Sequence, residues 1–320
     1  MKGDLKIMPL LTIKQIMADS RKRATTDTDP KERYAVGAFN FSTLPEMVGI
    51  VEGARKKNAP VILMASLGAI KYIGSLELIA ETAKGIARTY PEVPICLHLD
   101  HATDLEQIKQ AVVAGFTNVM IDASKEDFET NIAKSKEIAD FAHNHSPYGI
   151  DGCSVEAELG MLAGHEDNIH VSEEDAGKAY TDPALVPRFV EETGIDALAV
   201  AIGTAHGFYK AAPEIKFDLL GEIRGCTDIP LVLHGGTGVP EDDFRKCVAM
   251  GMSKINVGTG LKKVYTDAVR EAIKTLPETE YDPRKIAGPG RYAISDAIAE
   301  KCDLFNCTDK APAVLKSIYE

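Results

Sequence analysis

Three histidines of this sequence stand in short motifs that each follow an apolar run. They are His101 in LHLDHATD, His206 in GTAHG and His234 in HGGTG. Three neutral imidazoles with one open coordination position suit a catalytic Zn²⁺, a Lewis acid without redox chemistry. One such histidine alone is more often a core or surface residue. Three at equivalent positions, each beside Gly or Asp, instead predict a metal site.

Polar residues also follow most of the other apolar runs: Asn40, Ser66, Asp100, Asp122, Glu156 and Glu158. In an α/β barrel the ends of the strands build the active site, so this concentration predicts that these residues share one site. His98, two residues before Asp100, is expected to point the same way and to pack in the core or support the metal ligands. Structural or solvent-exposed roles are expected for His143, His145 and His170.

Glycine-rich turns near the second and third histidines predict a phosphate site. Glycine lets the backbone approach a ligand closely and offers N–H groups to an anion. Pro240, just after the HGGTG motif, can open a helix whose N-terminus favours negative charge. The predicted phosphate-binding residues are Gly235, Gly236, Thr237, Asn256, Val257, Gly258 and Thr259.

Eight short apolar runs must position these residues, and they alternate with segments of helical period. Continuously apolar strands are expected where both faces of a parallel sheet are covered. Eight β-then-α units favour a closed (β/α)₈ TIM barrel, and no GxGxxG follows the first strand to suggest a dinucleotide-binding fold. The runs are 34–40, 61–66, 95–100, 118–123, 153–158, 197–203, 230–235 and 254–259; the clearest helical segments are 45–57, 104–115, 129–145 and 241–251.

A single domain is predicted for residues 1–320, because no stretch rich in Gly, Ser or Pro separates two parts. Residues 18–34 are charged and turn-rich, and are expected to form a solvated loop or helix extension. Residues 281–320 are expected to form a C-terminal arm, with one helix before residue 306.

Composition excludes several function classes. The formal net charge of −12 argues against a nucleic-acid or anionic-membrane binder, which needs excess Lys and Arg. No apolar stretch is long enough to span a membrane, and the N-terminus does not have the pattern of a signal peptide. The six cysteines form no CxxC pair and are expected to be reduced thiols in a cytoplasmic protein.

Seven motifs, in order, resemble the class II fructose-1,6-bisphosphate aldolases. They are LHLDHATD, MIDAS, SVEAELG with GHED, AIGTAHGFYK, PLVLHGGTGVP, KINVGTGLK and YDPRKIAGPGR. The resemblance covers residues 34–306, and tagatose-bisphosphate aldolases of the same superfamily match almost as well. It implies a lyase of glycolysis and gluconeogenesis that cleaves fructose 1,6-bisphosphate to dihydroxyacetone phosphate and glyceraldehyde 3-phosphate through a zinc-stabilised enediolate.

The resemblance also implies roles for individual residues. His101, His206 and His234 would bind zinc, and Asp100 would donate the proton in the aldol direction. Glu166 would abstract the C3 proton of dihydroxyacetone phosphate. The implied ligand sites are a second divalent metal at Asp122 and Glu158, dihydroxyacetone phosphate at Gly207 and at the turns 235–237 and 256–259, the aldehyde half at Ser66, and Na⁺ or K⁺ near the phosphate. Without the resemblance, a buried polar network is favoured over metal binding at Asp122 and Glu158. Likewise, Asp100 could orient a zinc-binding histidine, and Glu166 could belong to a solvated acidic loop. Family members are commonly homodimers or homotetramers.

Some positions depart from the fructose-specific pattern and leave the substrate open. Gly258 offers no side chain where fructose enzymes often carry Asp or Asn, and Gly260 replaces the usual acid. Lys262, His165 and Leu67 also differ from frequent residues of the family. Tagatose 1,6-bisphosphate or another ketose phosphate therefore remains an alternative substrate.

Three alternatives to this chemistry are weaker. A TIM-barrel zinc hydrolase should carry HxH on its first strand, and a non-catalytic scaffold subunit should have lost its zinc ligands. A Schiff-base aldolase needs a lysine at an inner strand end, whereas Lys254 is expected to start its strand.

Overall fold

The computed structural model describes residues 10–26, 28–145, 152–166, 169–171, 180–207, 209 and 213–319, without the side chains of 163–171 and 319. The strands, numbered in chain order, are β1 Val36–Asn40, β2 Val61–Ala65, β3 Ile95–Ala102, β4 Asn118–Ile121, β5 Ser154–Leu159, β6 Ala163–Glu166, β7 Ile169–Val171, β8 Ala197–Val200, β9 Ala205–His206, β10 Leu231–Leu233 and β11 Met252–Val257.

Eight of these strands close a parallel barrel in the order β1-β11-β10-β8-β5-β4-β3-β2. Every residue of these eight strands is buried. Side chains on the inner face of the sheet fill the barrel, and helices cover the outer face. Each of the eight predicted runs overlaps one barrel strand, so the predicted (β/α)₈ fold is confirmed.

The helices are α1 Ile13–Ile16, α2 Ala18–Thr25, α3 Leu44–Lys56, α4 Leu67–Ile73, α5 Leu76–Thr89, α6 Leu105–Ala114, α7 Phe128–His143, α8 Val186–Thr193, α9 Phe217–Cys226, α10 Glu241–Ala249, α11 Thr259–Thr275, α12 Pro283–Leu304 and α13 Ala311–Tyr319. None of the described helices is both long and apolar enough to cross a membrane.

Local signals in the sequence explain where these helices begin and end. Helix α6, which connects β3 to β4, begins after Asp104, whose carboxylate accepts a hydrogen bond from Gln107 N at 3.0 Å. It ends at Gly115, which adopts the left-handed conformation that leaves the last helical carbonyls satisfied. Such caps place the strand ends, and with them the polar residues, at fixed points of the barrel rim.

The predicted insertion and arm both contain more helix than expected. Residues 18–34 form α2 and a short 3₁₀ helix, Pro30–Glu32. The arm contains the predicted helix as α12 and a second one, α13, which packs against α1 and α2. Apolar residues of α12, including the fully buried Ile298, pack against α3, and this packing holds the arm against the barrel.

Close packing of α3 against α12 depends on glycine. A Cβ atom at Gly53 would lie 2.5 Å from Ser295 O and 2.5 Å from Ile298 Cβ. Both atoms belong to the rigid part of α12, so neither can move aside without displacing the helix. Gly53 therefore permits the approach that anchors the arm to the barrel.

We expect Gly53→Ala to lower the free energy of unfolding by about 1–2 kcal/mol, since the clash exceeds the gain in helix propensity. Gly85→Ala in α5 is the matched control, because no atom lies within 4 Å of its added Cβ. That control should raise stability by about 0.5–1 kcal/mol. Urea unfolding measures both, and equal stabilisation by the two substitutions would refute the packing argument.

Candidate metal centre and phosphate pocket

An irregularity in β3 turns His101 toward the barrel mouth. Leu99 pairs with Val119 of β4, but Ala102 pairs with Ile121, so β3 holds one extra residue between these pairs. His101 has φ +38°, in the left-handed region. In a regular strand it would point opposite to Asp100, toward the helices. The bulge brings both side chains to the same site.

His206 is positioned by a second, three-stranded sheet of order β7-β6-β9 at the barrel mouth. It lies on β9, where its register partner is Gly164 of β6. His234 directly follows β10 and is fully buried. Three separate parts of the chain therefore supply the three imidazoles.

The three rings lie together, as the equivalent positions of these histidines after their apolar runs predicted. His101 Nε2 lies 2.7 Å from His234 Nδ1, and the ring centroid of His206 lies 4.7 Å from that of His101. One nitrogen of each ring lies within 4.8 Å of the others, so a single cation can be shared. Zinc–nitrogen bonds of about 2.0–2.1 Å need donors roughly 3.4 Å apart, which small ring movements would achieve. The donor set therefore fits a divalent metal.

Two carboxylates hold the outer nitrogens of these rings. Asp122 Oδ2 lies 3.2 Å from His101 Nδ1, and Glu156 Oε1 lies 2.9 Å from His234 Nε2. Carboxylates in this position select the tautomer of a metal-ligating histidine and fix its ring. The inner nitrogens are thereby left as acceptors that face one another.

Burial and hydrogen bonds shift the pKa values of two residues of this cluster. Burial lowers the pKa of His234 to about 4, which keeps the imidazole neutral near pH 7. Burial also opposes the ionisation of Asp122, but its hydrogen bonds with His101 and Ser124 outweigh this effect and lower its pKa below the usual value. Neutral histidines beside an ionised carboxylate are the form that binds a cation.

A second group of possible ligands joins His101, Asp122 and Glu158. Glu158 Oε2 lies 3.7 Å from His234 Nδ1 and has no hydrogen-bond partner among the described residues. Burial, reinforced by the charge of Asp122, raises the pKa of Glu158 well above its usual value. The geometry agrees with the predicted second metal position, and that role remains a prediction.

Asp100 lies beside this cluster and is oriented from β1. Asn40 Nδ2 donates a hydrogen bond to Asp100 Oδ2 at 2.7 Å. His98 faces the same interior, 3.9 Å from Asp100 Oδ1, and pairs with Asn118. Its expected supporting position within the barrel agrees with this arrangement. Ser66 caps α4, where its hydroxyl accepts from Ala69 N at 3.4 Å.

An open cavity adjoins the metal cluster. It is lined by Asn40, His206, Gly207, Gly235, Gly236, Thr237, Asn256, Gly258, Thr259 and Lys262. Most of the predicted phosphate residues therefore lie together, and Lys262 adds a positive charge. Val257 instead packs in the hydrophobic core. The helix expected at Pro240 is confirmed as α10, which begins at Glu241, but the helix that begins at the cavity is α11, after Gly258.

The turn after His234 and strand β9 are joined by a contact that sequence reasoning missed. Tyr209 Oη accepts a hydrogen bond from Ala205 N at 2.7 Å and donates one to Gly235 O at 2.8 Å. Gly235 has φ +69°, and a Cβ there would lie 2.3 Å from Ala205 O. Tyr209 and Gly235 together hold His206 near His234.

The barrel interior contains a further pair that the predictions left out. Glu156 contacts Lys254 as well as His234, and all three are fully buried. Lys254 is the third residue of β11, so the expectation that it starts its strand was wrong. The alternation of Glu156 and Glu158 along β5, which puts both on one face, was the available signal.

Comparison with known proteins agrees with this geometry. The family model described as "Fructose-bisphosphate aldolase class-II" matches residues 22–310. The chain belongs to this family. The fructose-bisphosphate aldolase of Geobacillus stearothermophilus is 42% identical over 280 residues, 87% of this chain and 94% of that protein. The Staphylococcus aureus (strain N315) fructose-bisphosphate aldolase is 39% identical over 305 residues, 95% of this chain and 100% of its own length.

A solved structure is similar over nearly the whole chain. The crystal structure of the YdjI aldolase from Escherichia coli K12 has a TM-score of 0.77 and 32% identity, covering 94% of this chain and 99% of that chain. The class II aldolase family expected from the seven motifs is therefore confirmed. So is the enzyme class, a lyase that acts on small phosphorylated sugars.

The remaining predicted residues are Glu166 and the histidines outside the metal cluster. Strand β6 ends at Glu166, but its side chain lies outside the described residues, as do those of His165 and His170, so the proton-transfer role of Glu166 stays a prediction. His143 lies away from the cluster, with Nε2 2.8 Å from Asp196 Oδ2, and His145 stacks on Phe141. Those contacts agree with the expected structural roles.

We expect Tyr209→Phe to weaken divalent-metal binding about tenfold, because the loss of both hydrogen bonds frees β9 to move relative to the turn after His234. Competition with a chromophoric chelator measures the zinc affinity. Tyr180→Phe is a suitable control, since Tyr180 is exposed. Unchanged affinity in the Tyr209 variant would show that the hydroxyl does not position His206.

Proposed function

We propose that this protein is a zinc-dependent aldolase that reversibly cleaves fructose 1,6-bisphosphate to dihydroxyacetone phosphate and glyceraldehyde 3-phosphate. The observation that carries the proposal is the contact between a three-imidazole cluster and a glycine-lined, positively charged cavity. His206 belongs to both, so a phosphate in the cavity and a cation at the histidines would hold neighbouring atoms of one small substrate.

His101, His206 and His234 would hold the metal. When bound, Zn²⁺ acts as a Lewis acid on the negative charge that develops on the ketone fragment. This stabilisation is on the order of several kcal/mol. The neutral state of His234 and the orienting contacts of Asp122 and Glu156 support this ligand set. Asp122 and Glu158 would supply a second divalent position.

The cavity would bind the phosphate of the dihydroxyacetone half. Backbone N–H groups of the turns at Gly235–Gly236 and Gly258–Thr259, together with the N-terminus of α11, favour an anion there. Lys262 adds a formal positive charge. A monovalent cation near the phosphate, as the family resemblance implies, belongs to the same proposal.

Proton transfers would fall to two carboxylates. In cleavage, Asp100 accepts the proton of the C4 hydroxyl, the C3–C4 bond breaks, and the electron pair stays with the ketone fragment. Glu166 then delivers a proton to C3 of that fragment. Asn40 supports the role of Asp100 by holding its Oδ2 at 2.7 Å.

Tagatose 1,6-bisphosphate is a second candidate substrate, because Gly258 presents no side chain to the cavity and Lys262 lines it. The two sugars differ in configuration at C4, the carbon whose hydroxyl must reach Asp100.

We also propose that the protein is a homodimer or homotetramer, in line with the family resemblance. We propose a cytoplasmic location as well, which agrees with six free cysteines, five of them buried.

Turnover of both bisphosphates with and without metal tests this function. We expect measurable kcat/KM for fructose 1,6-bisphosphate, loss of activity on exhaustive chelation with EDTA, and recovery on addition of Zn²⁺. A coupled assay for the triose phosphates measures the rates. Full activity after chelation would exclude the metal mechanism, and a higher kcat/KM for tagatose 1,6-bisphosphate would reassign the substrate.

We expect Asp100→Asn to lower kcat by about 10²–10⁴-fold while the protein still binds one equivalent of zinc, since proton transfer is lost but the metal ligands remain. Asp104→Asn is the matched control, because asparagine caps a helix as well as aspartate does and Asp104 is exposed. If turnover by Asp100→Asn equalled that of the control, Asp100 would have no part in proton transfer.

A further inference from the structure

An ion pair lies inside the barrel beneath the histidine cluster. Lys254 Nζ is 2.8 Å and 3.0 Å from the two carboxylate oxygens of Glu156, and both side chains are fully buried. Lys254 comes from β11 and Glu156 from β5, strands that are not neighbours in the barrel. The pair therefore spans the interior.

Stability alone is a poor reason for such a pair. Removing two charges from water is costly, and a well-packed apolar pair of similar size is often as stable or more so. The residues at the centre of a TIM barrel are ordinarily bulky and apolar. A buried lysine and glutamate at this depth point to a task that apolar side chains cannot perform.

Glu156 connects this pair to His234. Its Oε1 accepts a hydrogen bond from His234 Nε2 at 2.9 Å, while Lys254 contacts both oxygens and so fixes the plane of the carboxylate. A neutral imidazole carries one proton, so a proton on Nε2 leaves Nδ1 with a free electron pair. Nδ1 is the atom 2.7 Å from His101 Nε2.

We propose that the Lys254–Glu156 ion pair is a positioning device for His234, which fixes its ring and tautomer so that Nδ1 is presented to a divalent cation. Lys254 acts through Glu156 and touches neither substrate nor metal. The inference rests on the proposed metal site, and it adds that the affinity of that site is set from inside the barrel.

The same contacts argue against a Schiff-base role for Lys254. Its amine is fully buried and engaged with both Glu156 oxygens. A Schiff base needs a neutral amine that can reach the substrate carbonyl. The cavity is lined by Asn256, two residues further along β11, rather than by Lys254.

Zinc affinity of the full-length protein tests the proposal, measured by competition with a chromophoric chelator. We expect Lys254→Met to bind zinc 10–100-fold more weakly than the unsubstituted protein, the usual range for loss of a group that orients a ligand. Lys14→Met is the matched control: Lys14 pairs with another buried carboxylate, Asp196, at 2.7 Å, and neither residue contacts the cluster. The control should bind zinc as the unsubstituted protein does.

Lys254→Met leaves a buried unpaired carboxylate and can fail to fold, so the double variant Glu156→Gln/Lys254→Met is made in parallel. It is neutral and nearly isosteric, and we expect the same direction of change in zinc affinity. Nitrogen NMR of ¹⁵N-histidine-labelled, metal-free protein gives a second readout. The His234 Nε2 proton should appear as a hydrogen-bonded signal, and that signal should be lost in the folded variants.

The outcomes separate this inference from the proposed function. If the unsubstituted protein binds no zinc at the histidines, the proposed metal site itself fails. If it binds zinc and a folded Lys254 variant binds it within threefold, the positioning role alone is refuted. A His234 proton on Nδ1 in the metal-free protein would also refute it.

Discussion

The 2.7 Å approach of His101 Nε2 to His234 Nδ1 is the constraint around which the barrel mouth is arranged. Holding each ring at its outer nitrogen leaves both inner nitrogens able to share one cation. Asp122 and Glu156 supply the outer contacts. Each carboxylate is itself fixed, one by Ser124 and the other by Lys254.

Bringing the rings together requires local backbone strain. His101 has φ +38°, a conformation whose energy is of order 1–3 kcal/mol above the ordinary regions. It persists because Leu99, before the bulge, pairs with both β2 and β4, and Ala102, after it, pairs with β4, so the bulge cannot relax without disrupting the barrel. Within β3, the strained residue is the one that the site needs turned inward.

The polar interior and the glycine-lined rim have complementary parts in this arrangement. Burial keeps His234 neutral, and the carboxylates of Asp122 and Glu156 orient the rings of His101 and His234, which suits a cation. The cavity beside them is built from backbone turns, the start of α11 and Lys262, which suit an anion. A substrate with a phosphate next to a ketone would meet both, and the enzymes of this family act on such sugars.

The sequence by itself was sufficient to predict the fold, the family and most residues of the candidate site. Apolar runs predict barrel strands because parallel strands are covered on both faces, and polar residues at their ends predict the rim because all parallel strands end at the same side. The sequence did not predict the interactions between distant segments. The bulge that turns His101, the β9 sheet that carries His206, and the contacts of Lys254 and Tyr209 depend on register and depth. Those are decided when the barrel closes, since the same short motifs allow several registers until non-neighbouring strands pack together.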